Sequence, residues 1–483
     1  MESANHDHQH TPNRFAVIPT PVRMQADQAY SGKGVTIAFL DSGFYPHPDL
    51  TSRSNRIVAY KDLTNERPFL TATGTAESWQ WHGTQTSVTA AGDGALSGGV
   101  YRGLAPEAQL VLVKVGEAGR ITEENIARGL QWVIANRERY NIRVLNISLG
   151  GDEDVPCTKS IIDQAAEEAV RQGIVVVVAA GNSGGDGNHS IPPANSPSVI
   201  TVGGYHDNNE LSGNGLDLYH SNFGATADGT VKPEVVAPAM WVAAPILPGT
   251  VFYERAEALS RLAAAADYQL SGLARELKEK AELPEQIVFA DAGTIRRFVE
   301  DELKRQKVVA AHYQHVDGTS FAAPIVTSIV AQMVEANPNL TPGAVKNILI
   351  STADRIVSAP AIRQGFGVVS APRAVEMAKT ETHALNVTGC LAPRVENGRL
   401  VFVFHDDAAQ TVSLAGDFNN WNKAATPLAR GASGLWVTEL QAPAVGRYAY
   451  KFVVDDERWL EDPSNGMKVT DNHGGLNSVL VVE

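Results

Sequence analysis

Cysteine is almost absent from this chain. Its 483 residues hold two, Cys157 and Cys390. Two cysteines allow one bridge at most, so no disulfide framework builds the fold, and their spacing matches no thiolate metal site. They read as two free thiols. Long apolar runs are missing as well. The longest, Ile174 to Ala180, falls far short of the roughly 20 residues that cross a bilayer. The segment from Met1 to Thr20 lacks the apolar stretch of a secretion signal. That sets a cytoplasmic expectation, or a secreted one if a leader has been removed. Positive charge is in short supply. Lys and Arg total 40 against 54 Asp and Glu, a formal net charge of −14. Such a surface repels phosphate backbones and anionic bilayers, so neither nucleic acid nor membrane is expected as a partner. The run His6-Asp7-His8-Gln9-His10 reads as a polar terminus rather than a ligand set. No metal is expected.

What remains is ample for a large core, with 43% apolar residues. Residues 34–41 form a continuous apolar stretch ending in an acid, the pattern of a strand buried on both faces. Val111 to Val115, Arg143 to Ser148 and Ile174 to Ala179 repeat it. Between them lie helical patterns. Thr122 to Tyr140 has a Thr cap, two glutamates in its first turn and an apolar face of Ile126, Leu130, Val133 and Ile134. Ser160 to Gln172 closes on Gly173. This alternation predicts an α/β fold, a parallel sheet with helices on both faces. Leu259, Leu262, Ala266, Leu270, Leu273 and Leu277 form one helical stripe, and Ile295, Phe298, Val299 and Leu303 another, so 250–310 is expected as an inserted helical pair. Helices are expected from Gly318 to Met333 and from Thr341-Pro342. Past 380 the texture changes to short strands near 400–404, 411–415, 435–440, 448–454 and 478–482, an Ig-like β-sandwich. The divisions are an extension 1–29, a first domain 30–380, a linker 381–397 and a second domain 398–483.

Four segments of the first domain carry chemistry. Asp41-Ser42-Gly43 puts an acid at the carboxyl end of a buried strand. His82-Gly83-Thr84 opens a small-residue helix. Ala179-Ala180-Gly181-Asn182 leaves a strand end. Gly318-Thr319-Ser320-Phe321-Ala322 opens a long helix. Ligands of open α/β sheets gather beyond the carboxyl ends of the strands, where the four can meet. A serine hydroxyl attacks only when a base takes its proton, which His82 can do near neutral pH. Asp41 would hold the imidazole, and a helix start at Ser320 with the Asn182 amide would receive an oxyanion. Each segment alone has a bland reading as a turn, cap or helix start. Their order, Asp, His, Asn, Ser, differs from the His-Asp-Ser and Ser-acid-His orders of other serine hydrolases.

These segments resemble the subtilase family across about 30–380. Gly103-Leu104-Ala105-Pro106, Leu145 to Gly150, Pro197 to Gly203 and Lys232 to Pro238 add to the likeness. The resemblance implies endopeptidase activity with Asp41, His82 and Ser320 as triad and Asn182 at the oxyanion hole. It implies a polypeptide substrate lying extended between Glu117, Ala118, Gly119 and Ser148, Leu149, Gly150. Ala179, Ala180 and Gly181 would line the pocket before the scissile bond, with Ile191 near its base. No cofactor is required. Calcium is not indicated, because the loop that holds it in many subtilases looks shortened at 92–100. Phe15 to Pro19 resembles the inhibitory extension of intracellular subtilisins, or is a surface strand. The insertion at 250–310 suits a lid or an oligomer contact.

In the second domain Gly416 to Asn422, Tyr448 to Asp455, Trp459 and Asn477 resemble the glycogen-binding module of the AMP-activated kinase β subunit. The resemblance implies that Trp421 and Trp459 stack on sugar rings while Lys451 and Asn477 bond hydroxyls of an α-glucan; alternatively the two indoles serve packing or protein contact. The expected function is a serine endopeptidase targeted to, or regulated by, α-glucan. A binding protein with a silenced protease domain and an esterase or amidase are its rivals.

Overall fold

The structure, a computed structural model, describes all residues except 1–16, 66–75, 118–119, 152–154, 185–189, 212–214, 228–229, 383–392, 397–398, 407, 431–434, 463–464, 466 and 483. Seven strands form the central sheet: β1 (Thr36–Asp41), β2 (Ile57–Asp62), β3 (Gln109–Lys114), β4 (Ile142–Ile147), β5 (Val175–Ala179), β6 (Ile200–His206) and β7 (Val235–Pro238). They run parallel in the order β7-β6-β5-β4-β1-β3-β2, with Asp217–Leu218 as a short antiparallel addition at β6. The chain starts in the middle of the sheet, fills one side through β2 and β3, and then crosses to the other. The strand order therefore reverses at β1, the place where such sheets open a crevice.

The apolar runs follow from burial on both faces. Val175 and Val177 point into a core shared with the helix Thr319–Ala336, while Val176 and Val178 point into a second core under Glu123–Tyr140 and Ile161–Arg171. The two predicted threonine caps are in place: Thr122 accepts from the Asn125 amide at 3.3 Å and Thr341 from Ala344 at 3.2 Å. Ser160 caps its helix in the same way, accepting from Asp163 at 3.0 Å. The helix Thr319–Ala336 is long and apolar enough to cross a membrane, but 83% of it is buried inside this fold, the setting of a core helix.

Two expectations change. The insertion holds five helical segments rather than a pair: Val251–Ala264, Asp267–Glu276, Lys278–Ala281, Glu285–Val288 and Ala292–Arg305. The leucine stripe runs on in sequence, but the backbone turns extended at Ala265 and Ala266, so the stripe folds back on itself. Leu259, Leu262, Leu270, Leu277, Ile295, Val299 and Leu303 then close a core of their own. The insertion rises from a hairpin in which Val242–Pro245 pairs antiparallel with Tyr313–Val316. Cys157, read as a free thiol, is buried and disulfide-bonded; Cys390 lies outside the described residues.

Of the N-terminal extension, Val17 is buried against Val309 and Tyr313, and Arg23 pairs with Asp207 at 3.3 Å and donates to the Met240 carbonyl at 2.8 Å. Past Val17 the chain forms a short helix, Thr20–Arg23; Phe15 and Ala16, the start of the stretch likened to an inhibitory extension, lie outside the described residues.

The C-terminal strands make two antiparallel sheets around a core of Leu400, Phe402, Phe404, Leu414, Trp436, Tyr450 and Phe452. This domain is docked. Met467 and Val479 are buried in the same apolar cluster as Val345, Ile348 and Leu349 of the first domain. Arg447 lies 4.4 Å from the Phe366 ring centre and donates to the Gly365 carbonyl.

Near that dock the interior holds an ionic cluster. Glu234 accepts from Lys232 and Lys346, each at 2.7 Å, and all three are buried. Lys346 also donates to the Pro197 and Val199 carbonyls at 2.6 and 2.8 Å. Burial lowers the Lys232 pKa to about 8, with Glu234 opposing the fall. Removing the shared carboxylate strands two buried cations. Glu234→Gln should therefore cost about 3–5 kcal/mol of stability, read as a lower urea midpoint at unchanged slope.

Candidate active site

The site lies at the strand-order reversal. Asp41 ends β1, and its carboxylate is held from several sides. Oδ1 accepts from the Ser42 amide at 2.7 Å and Oδ2 from the Thr86 hydroxyl at 3.2 Å. The His82 Nδ1 lies 2.8 Å from Oδ1 and 3.1 Å from Oδ2. His82 is the second residue of the helix Trp81–Ala91. That helix can come so close to β1 because Gly83 has no side chain; a Cβ there would stand 2.3 Å from the Gly43 carbonyl oxygen and 2.9 Å from the Asp41 Cβ. Burial opposes charge on His82, but the Asp41 carboxylate outweighs it and raises the imidazole pKa above its ordinary value.

Ser320 is the second residue of the buried helix Thr319–Ala336, whose start points free N–H groups into the site. Gly318 caps it with φ 137°, a conformation side chains rarely adopt. Asn182 is fixed by this helix. Its Oδ1 accepts from the Thr319 amide at 2.8 Å and hydroxyl at 3.0 Å. An amide N–H can only donate, so the orientation is set: Oδ1 faces Thr319 and Nδ2 remains a donor. The Ser320 hydroxyl sits 3.5 Å from the Ser148 carbonyl, a long contact, and among the described residues no hydrogen bond joins it to His82. Phe321, the next residue, brings its ring centre 6.0 Å from the imidazole. Bonds between a nucleophile and its base are often long before substrate binds.

The residues expected to line a substrate groove fall as follows. Gly116–Glu117 is a short strand paired with Arg120–Ile121; Ala118 and Gly119 lie outside the described residues. Ser148 is buried and donates to the Ser320 carbonyl at 3.0 Å, while Leu149 and Gly150 are half-buried. Ile191 packs against Gly150, where a Cβ would meet its side chain at 3.1 Å. Ala180 is buried; Ala179 and Gly181 are half-buried. Sequence reasoning missed Ser42, Thr86 and Thr319 as positioning groups. Thr86 sits four residues after His82 and so shares its helix face, a spacing that could have been used.

Two acids, Asp49 and Asp93, stand at the 92–100 loop. Asp49 accepts from the Tyr313 hydroxyl at 2.6 Å and the Leu96 amide at 3.1 Å. Asp93 accepts from the Ala95 amide at 2.9 Å and pairs with Arg53 at 3.7 Å. Protein donors already point at these oxygens, so the set does not suit calcium.

On the C-terminal domain, Trp421 and Trp459 lie with ring centres 6.4 Å apart and planes 31° apart, and Trp459 is 41% exposed. Trp421 is anchored by its indole N–H to Asp417 at 2.8 Å. Pairing of Trp459 with Val453 puts its side chain on the same outer sheet face as Lys451. The register Tyr450 to Ser478 carries Asn477 to the position across from Lys451. Lys451 is not free: its ammonium meets Asp471 at 2.6 Å.

An acid at a strand end, a histidine on the adjoining helix and a serine at the head of a buried helix define a serine hydrolase on a doubly wound sheet. Comparison with known proteins narrows the class. The profile described as "Subtilase family" matches residues 32–368, and the chain belongs to that family. The serine protease AprX of Bacillus subtilis (strain 168) is 32% identical over 362 residues, 72% of this chain and 67% of that protein. Subtilisin E of the same strain is 35% identical over 188 residues, 38% of this chain and 44% of its own length. The solved structure of fervidolysin from Fervidobacterium pennivorans, a keratinolytic enzyme related to subtilisin, superposes with a TM-score of 0.51 at 20% identity, covering 89% of this chain and 54% of that one, a likeness of fold. Residues 399–483 match the glycogen recognition site of AMP-activated protein kinase. The protein is a subtilisin-type serine endopeptidase with a C-terminal domain like a glycogen-binding module.

The site electrostatics give a direct test. In an NMR titration the His82 midpoint should lie above 6.5. In Asp41→Asn protein burial acts alone and the midpoint should fall below 6.5; an unchanged midpoint would contradict the pairing.

Proposed function

We propose that Asp41, His82, Ser320 and Asn182 together hydrolyse peptide bonds, and that the C-terminal domain tethers or regulates this activity through α-glucan. The observation that carries the first part is the 2.8 Å pair of His82 with Asp41 beside a helix start that bears Ser320. As the Ser320 Oγ bonds to the carbonyl carbon, its proton passes to His82 Nε2 and the carbonyl electrons move onto oxygen. The oxyanion takes hydrogen bonds from Asn182 Nδ2 and the Ser320 N–H. The C–N bond then breaks and His82 gives the proton to the leaving amine. Water repeats the sequence on the acyl-enzyme, returning the serine and a carboxylate. Asp41 stays ionised and favours the imidazolium in both halves.

The substrate is a polypeptide in extended form, paired along Ser148 to Gly150 and Gly116–Glu117, since strand addition satisfies both backbones. The Ile191 side chain against Gly150 favours small or medium apolar residues before the scissile bond. The disulfide at Cys157 fits the secreted alternative better than the cytoplasmic one, because such bonds persist in oxidising compartments.

Ser320→Ala should lower kcat by about 10⁶ in casein or peptide hydrolysis with the fold intact. Asn182→Leu should lower it by about 10²–10³. Near-normal turnover by Ser320→Ala protein would remove the mechanism.

The glucan part rests on the pair of half-buried Trp421 and exposed Trp459, an aromatic surface that matches the apolar face of a glucose ring. Trp421→Ala combined with Trp459→Ala should abolish retention on immobilised glycogen while cleavage of a short peptide continues. Retention that survives both changes would assign the pair to packing or protein contact.

A further inference from the structure

Two tryptophans stand just before His82, and they have different situations. Trp79 is committed. Its indole N–H donates to Glu77 at 2.6 Å, its ring fills the space over Gly43, and the Lys114 ammonium lies 4.9 Å from its centre. Trp81 is 49% exposed. Its ring meets the imidazole of His82 edge-on, with centres 5.1 Å apart and planes at 88°. Among the described residues no hydrogen bond engages its indole N–H. A large apolar ring left half in water beside a catalytic base invites an explanation, because folding gains little from it there.

The backbone under Trp81 is rigid. A 3-10 turn, Ser78–Gln80, leads into it. The Gln80 side chain is buried, accepting from the Glu77 amide at 2.7 Å and donating to the Phe44 carbonyl at 2.7 Å. The Thr84 hydroxyl donates to the Gln80 carbonyl at 2.6 Å. The indole is thus presented from a fixed platform, the arrangement that makes an aromatic side chain an effective contact at low entropic cost.

We propose that Trp81 is a specificity-determining residue. Its exposed face receives a large apolar side chain of the polypeptide substrate, at a position on the His82 flank of the scissile bond. This rests on the assignment of His82 and Ser320 above. With the indole against His82, a peptide bond held between those two residues would bring one of its neighbouring side chains toward it. The edge-on contact leaves the imidazole free to exchange protons, so Trp81 selects substrates without taking part in proton transfer. The chemistry favours aliphatic and aromatic residues, which gain from burial against the ring.

The test compares kcat/KM over peptide libraries varied from the third residue before to the third after the scissile bond. Wild type should favour large apolar side chains at one flanking position, and Trp81→Ala should reduce that preference by about tenfold, the scale of a lost apolar contact. Trp81→Phe should keep most of it. Trp81→Glu, compatible with a first helical turn, should move the preference toward Lys and Arg. Library profiles of the variants that superpose on wild type would overturn the proposal, as would loss of a Lys or Arg preference in Trp81→Ala. Fluorophosphonate labelling of Ser320 in wild type reads the triad separately. Failure to label would overturn the active-site assignment itself, whereas labelling with unchanged profiles would overturn only the role of Trp81.

Discussion

A helix that is apolar on every side is stable only when it is surrounded, and the helix Thr319–Ala336 imposes that requirement on the whole peptidase domain. The sheet supplies one wall through Phe39, Val144 and Val177, and the helices Trp81–Ala91 and Ala371–Thr380 supply others. Once the helix is enclosed, its first turn can emerge only past the carboxyl ends of the strands. That is where Asp41 finishes β1 and where Asn182 leaves β5. The geometry of the candidate site is therefore a by-product of where an apolar cylinder must be buried.

The polar groups of the site are then arranged by donors that have few alternatives. The Thr319 amide, orphaned at the helix start, takes the Asn182 oxygen and so frees the Asn182 nitrogen. Thr86, on the face of the His82 helix that turns to Asp41, completes the acid's hydrogen bonds. The ionic cluster at Glu234 obeys the same economy farther away, with one carboxylate serving two buried lysines.

Much of this is legible in the sequence. Two-sided apolar runs mark the sheet, threonine caps mark helix starts, and four short segments name the candidate reactive groups. Residues whose roles depend on distance rather than pattern were not readable. Thr319 looked like one letter of a motif, and nothing in its neighbourhood announces the contact with Asn182, 137 positions away. The leucine stripe of the insertion promised one long helix, since periodicity does not register a backbone that turns extended at Ala265. Lys451 was assigned from its position alone, and its ion pair with Asp471 depends on a turn that the strand pattern does not describe. The bridge at Cys157 is not legible either, because spacing in sequence carries no information about a partner brought near by folding.

The docking of the C-terminal sandwich has a consequence for the enzyme's own survival. A protease that accepts extended polypeptide is surrounded by molecules of its own kind, and its strands are potential substrates whenever they come loose. A peptide enters such a groove only after local opening, so the rate of self-digestion follows the population of open forms. Burying Met467 and Val479 in the core of the peptidase domain, and seating Arg447 on Phe366, makes opening of the sandwich cost contacts on both sides. Its strands are correspondingly seldom loose enough to lie in the groove of a neighbouring molecule.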